Sequence, residues 1–194
     1  MVTTPVALSK TVLDFCREVA PSSTPVYLPV RPFRGAKPLD AFDNADRFTR
    51  LSGGKPQTGW LIWEWPDAFI EAEHHCAVRL EDGTLREVSP HDETRVLFLP
   101  DDTATLDIDR DTFARPSIRR ATTPDPIVAQ YLANFDARDN FIRSKLDMGI
   151  NVLSAEDGDE IEKIEEESWR LSAEMLQRTL AKSGLLGFVS HPAA

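Results

Sequence analysis

Leu8, Val12, Phe15 and Val19 fall at steps of four, three and four, the stripe of an amphipathic helix, and they predict one over residues 5 to 20. Pro5 suits its first turn and Pro21 ends it. Pro25-Val-Tyr-Leu-Pro-Val-Arg-Pro32 carries too many prolines for an interior strand and predicts an extended edge segment or a polyproline-like wrap. Apolar residues then return at every third position, Leu39, Phe42, Ala45, Phe48 and Leu51. That is a short helix which Gly53-Gly54 stops and whose first turn is favoured by Asp40 and Asp43.

The period next becomes strand-like. Residues 60 to 65, 69 to 80, 85 to 88 and 96 to 99 are rich in aromatic and β-branched side chains. Turn signals at Trp65-Pro-Asp67, Glu81-Asp-Gly83 and His91-Asp-Glu93 separate them. Connections this short make neighbours antiparallel, and the simplest arrangement is a meander of four. Residues 101 to 125 are polar and aperiodic and read as a long connection.

Two helices close the chain. One runs from about Pro126 to Leu146; the other opens at Ser154, whose spacing to Asp157 fits a capping box, and runs to Gly184. The acidic run from Asp159 to Glu167 reads as a solvated face. The fold class is therefore α+β, a small antiparallel meander packed by an N-terminal and a short central helix, with two C-terminal helices. Residues 1 to 125 are read as the core domain and 126 to 194 as a helical extension packed on it.

Composition narrows the partners. Lys and Arg number 22 against 32 Asp and Glu, a formal charge of −10. That balance disfavours nucleic acid, which a basic surface must meet. The pair Arg119-Arg120 reads as solvated loop charge. No stretch approaches the roughly 18 apolar residues of a membrane span, and the N-terminus lacks the pattern of a secretory signal, so a cytoplasmic protein without a membrane partner is expected. Cys16 and Cys76 are too few for a disulfide scaffold and read as buried thiols.

Candidate chemistry concentrates in Glu71-Ala-Glu-His-His75. Alternation along a strand puts Glu71, Glu73, His75, Ala77 and Arg79 on one face, and Ala72, His74, Cys76, Val78 and Leu80 on the other, which reads as core. Cys76 thus projects away from His75 and cannot pair with it. A neighbouring strand adds Glu87, and the turn beyond it His91. Carboxylates beside an imidazole fix its tautomer, as a general base or a metal ligand requires. An inward His74 is expected to bond a backbone carbonyl. Trp60, Trp63, Trp65 and Trp169 read as core or pocket wall.

Ala41-Phe-Asp-Asn44, Gly53-Gly54, Gly59-Trp-Leu-Ile-Trp-Glu64, Glu71-Ala-Glu-His-His-Cys-Ala-Val78 and Glu87-Val-Ser-Pro90 together resemble a family of uncharacterised bacterial proteins over residues 25 to 101. In that family the helix begins Cys-x-x-Asn. The order of helix, histidine strand and acidic strand is similar to the papain-like and transglutaminase-like core. The resemblance implies His75 as the base and Glu87 as the acid that orients it. Ala41 stands where the thiol would be, which implies an inactive or repurposed relative.

Three functions follow. The first is a pocket hydrolase or transferase acting on a small-molecule or peptide amide or ester through His75 with Glu73 and Glu87. The second is a mononuclear centre in which Glu71, Glu73, His75 and His91 hold a divalent metal. The third is a binding module in which the C-terminal helices form a homo-oligomer.

Overall fold

The computed structural model describes residues 2–106, 115–150 and 152–182. The predicted stop at Gly184 lies outside them. By internal contacts the chain divides into Val2–Thr122 and a second unit that begins at Thr123. Among the described residues the fold is α+β, with four helices and a six-stranded antiparallel sheet, and no helix is long and apolar enough to cross a membrane.

In the first unit, α1 spans Lys10–Val19. It starts later than its stripe suggested because the Ser9 side chain accepts a hydrogen bond from the Val12 N–H and caps it, leaving Leu8 outside. Val12, Phe15 and Cys16 are buried with Ile62, Ile70, Ala72, Leu97 and Leu99. The proline-rich segment gives an edge strand, β1 (Val26–Pro29). Helix α2 (Ala41–Ser52) turns Ala45 and Phe48 onto Cys76, Val78 and Val88. It stops where Gly53 takes a positive φ of 79°, while a Cβ on Gly54 would stand 2.6 Å from the Arg79 carbonyl oxygen.

The sheet is built on one long hairpin, β2 (Lys55–Trp65) with β3 (Phe69–Arg79), paired along all eleven positions. Strand β4 is only Leu85–Arg86. Strand β5 (Arg95–Pro100) departs from the meander: it lies beside β2, so the order is β1-β5-β2-β3-β4. The reason is burial. Val96 to Leu99 are covered on both faces and need ladders on both sides, which the free edge of β2 and then β1 supply and a two-residue β4 cannot.

Residues 101 to 125 are not wholly connection, because β6 (Ile118–Ala121) pairs with the start of β3. Nor are Arg119 and Arg120 solvated loop charge. Arg119 Nε donates to Glu71 Oε1 at 3.0 Å, and Arg120 bonds Glu18 and lies over the Phe15 ring. Side-chain pairing turned a polar stretch into an edge strand that apolar periodicity did not mark.

In the second unit, α3 (Pro126–Asp147) and α4 (Ala155–Lys182) form a helical hairpin. The capping box is realised: the Ser154 Oγ accepts from the Asp157 N–H, and Asp157 accepts from the Ser154 N–H, both at 3.1 Å. Asn134 Nδ2 donates to the Ile164 carbonyl and to Ser168 Oγ, locking the helices in register. Most of Asp159 to Glu167 faces solvent, as expected. Trp169 does not join a core or pocket wall; it is 76% exposed, because the buried side of α4 runs through Leu171 and Met175.

Among the described glycines, Gly59 is the most closely approached. It pairs with His75, and a Cβ there would stand 2.3 Å from the Leu99 carbonyl oxygen and 2.7 Å from the Phe98 ring. Gly59→Ala is therefore expected to cost about 1–3 kcal/mol, measured as a lower urea midpoint at unchanged slope.

Candidate functional site

Strand β3 is paired on its outer side by β6 at Phe69 to Ala72 and by β4 at Val78 and Arg79. Between those ladders Glu73, His74 and His75 meet a pocket of about 260 Å³. Asp40, Ala41 and Phe42 at the start of α2 line it, with Trp63 from β2 and Ser89, Pro90 and His91 from the segment after β4. Leu39 stands at its rim, 99% exposed and at a φ of 61°, a conformation a leucine rarely holds.

Behind His75, beneath the residues that line the pocket, lies Glu87, fully buried. Its backbone is fixed by a bridge to Val30 and by the Arg31 N–H, which donates to the Glu87 carbonyl. Its Oε2 stands 2.7 Å from His75 Nε2, and its Oε1 accepts the Ser89 N–H at 2.6 Å. Burial alone raises the carboxyl pKa. The His75 charge and hydrogen bond, with His91 and the Ser89 N–H, outweigh that and hold it at about 2. Glu87 is thus a carboxylate, which accepts only, so His75 Nε2 carries the proton. Among the described residues no hydrogen bond engages His75 Nδ1, so it is the ring nitrogen left to the pocket.

His91 Nε2 is buried and stands 3.6 Å from Glu87 Oε1, beyond hydrogen-bond reach. Burial disfavours its protonation; Glu87 first, then Glu73 and Glu93, more than offset this and lift its pKa above the ordinary histidine value. The His75 and His91 ring centroids are 5.7 Å apart, Trp63 lies 6.0 Å from His91, and Phe98 meets His75 edge-on. These contacts fix the ring planes.

The structure brings together His75, Glu87, His91 and Glu73, but not Glu71, of the predicted residues. Glu71 is held instead by Arg119, with Nε 3.0 Å from Oε1. Glu73 lines the pocket, yet its Oε2 accepts the Trp63 Nε1–H at 2.6 Å, so it positions the indole and makes no hydrogen bond to His75. Glu87 supplies the carboxylate instead. His74 behaves as expected of an inward histidine: Nε2 donates to the Ala104 carbonyl and Nδ1 accepts the Arg115 N–H. Cys16 and Cys76 are free and buried, and burial lifts their thiols to about 11 and about 12.

Asn44 and Ser89 are functional neighbours that strand alternation could not reveal. Asn44 is fully buried on α2; its Oδ1 accepts the Lys37 N–H and its Nδ2 donates to the Lys37 carbonyl and to Ser89 Oγ. It ties the rim loop, the helix and the segment carrying Glu87 together. The signal was a lone amide inside an apolar helix stripe, which requires satisfied partners.

Because the Glu87 pKa falls from 4.5 to about 2 on folding, its stabilisation is complete above pH 4.5 and fades as pH drops toward 2. Glu87→Gln should therefore cost about 2 kcal/mol at neutral pH. In chemical denaturation at a series of pH values, that deficit should shrink below pH 4.5.

No known protein family, curated protein or solved structure matches the chain.

Proposed function

We propose that the first unit is a pocket hydrolase or transferase for a small amide or ester, with His75 as the base and Glu87 as the group that orients it. The observation that carries this is the 2.7 Å bond from His75 Nε2–H to Glu87, which leaves Nδ1 to the pocket beside the start of α2. A buried carboxylate on one imidazole nitrogen fixes the tautomer and stabilises the imidazolium that forms when the other accepts a proton.

The start of α2 supplies the complementary charge. Asp40 makes no side-chain hydrogen bond to the first turn, so the positive end of the helix dipole meets the pocket at Ala41 and Phe42. A substrate carbonyl placed there would have its developing oxyanion stabilised by backbone N–H groups. His75 Nδ1 would take a proton from the attacking water or hydroxyl as its oxygen bonds to the carbonyl carbon. The same proton would pass to the leaving nitrogen or oxygen as that bond breaks.

The similarity to papain-like and transglutaminase-like cores is supported by Ala41 as the first residue of α2, sharing a pocket with His75 while Glu87 stands behind the imidazole. Ala41 offers no thiol, so in this reading the nucleophile is water or a second substrate. Trp63, Phe42 and Pro90 make apolar walls, and the small volume suits a short acyl group.

His75→Gln keeps a donor for Glu87 and should slow hydrolysis of a small acetate ester by about 100-fold in protein that remains folded by circular dichroism. Equal rates would remove the proposal. Ala41→Cys should yield a thiol that iodoacetamide alkylates below neutral pH faster than free cysteine, while Cys16 and Cys76 stay unmodified. A new thiol no more reactive than free cysteine would count against Ala41 standing at a nucleophile position.

A further inference from the structure

We infer that His75, Glu87 and His91 form a binding site for one borderline divalent cation, of the zinc class, beside the pocket. Their three candidate ligand atoms lie within 4.8 Å of one another, and the 2.7 Å from His75 to Glu87 and the 3.6 Å from His91 to Glu87 bracket the spacing of about 3.4 Å that tetrahedral bonds of about 2.1 Å imply. Two imidazoles and one carboxylate suit such an ion, and because His75 and His91 line the pocket, water or substrate would reach the fourth position from there.

Two observations support an ion beyond the mere grouping. His91 Nε2 is buried without a hydrogen bond and stands 3.6 Å from Glu87 Oε1, a gap that a shared cation would bridge. The carboxylate is also held from behind. Ser89 N–H donates to Oε1 and Asn44 holds the Ser89 side chain, the outer support that orients a metal ligand. Glu71 and Glu73 are engaged by Arg119 and Trp63 and stay outside the set.

The same site has two exclusive states. Without the ion, His75 Nε2–H donates to Glu87 and Nδ1 is the free base. A cation takes the Nε2 lone pair, so that proton must move to Nδ1, and the ring no longer accepts one there. The cation site stands on the three donors alone; that the ion silences the base rests on the function proposed above.

The test is isothermal titration of the full chain, stripped with chelator, with zinc chloride. One ion per chain is expected, with affinity lowered at least about tenfold in His91→Ala. Substoichiometric binding, or equal affinity in the variant, overturns the site. Should His91→Ala not fold, cobalt(II) decides: an intense tetrahedral visible spectrum in the wild type supports the site, and a weak octahedral one overturns it. In ¹⁵N-histidine spectra zinc should move the His75 proton from Nε2 to Nδ1; an unmoved proton overturns the exclusivity. The two readings fail separately. Zinc bound while His75→Gln hydrolyses ester as fast as wild type leaves the site and removes the base. No zinc bound while hydrolysis depends on His75 removes the site and leaves the base.

Discussion

A carboxylate with no exposed surface must be met by donors, and Glu87 is met by His75 Nε2 and the Ser89 N–H. Much of the first unit's local architecture serves that requirement. Strand β4 stops at Arg86, so that the next residue turns to His75; the following segment brings Ser89 and His91 to the same group. Asn44 then fastens that segment to α2, placing the helix start and the imidazole around one pocket. The polar cluster specifies how these elements meet, while the apolar clusters on both faces of the sheet supply most of the stabilisation.

The interruption along the edge of β3 ties fold to chemistry. A continuous β4 or β6 would have paired Glu73 to His75 and filled the space the pocket occupies. Among the described residues no strand pairs that stretch on its outer side, and α2 with the segment from Ser89 to His91 lines the pocket there. His74 and His75 consequently line one cavity, and of these two only His75 carries a ring nitrogen without a hydrogen bond among the described residues.

Local pattern made much of this legible. The α1 stripe, the glycine stop after α2, the long hairpin, the Ser154 capping box and the alternation of β3 all follow from interactions between residues near in sequence. Strand alternation separated His75 from Cys76 and His74, and His75 meets Glu87 from the next segment at 2.7 Å. The α2 stripe overreached at both ends, since Leu39 and Leu51 are exposed, because three-residue spacing does not show where packing stops.

The sequence by itself determined the α+β class, the helix and hairpin positions, and the strand face that bears the acid and imidazole groups, because periodicity and turn chemistry act over a few residues. Only the tertiary structure decided that β5 joins β2, that β6 exists, that Arg119 claims Glu71 and Trp63 claims Glu73, and that Trp169 faces solvent. Each of those depends on which distant surface a side chain meets: the partners of Glu71 and Glu87 lie 48 and 12 residues away along the chain, and neither separation is written in a local pattern.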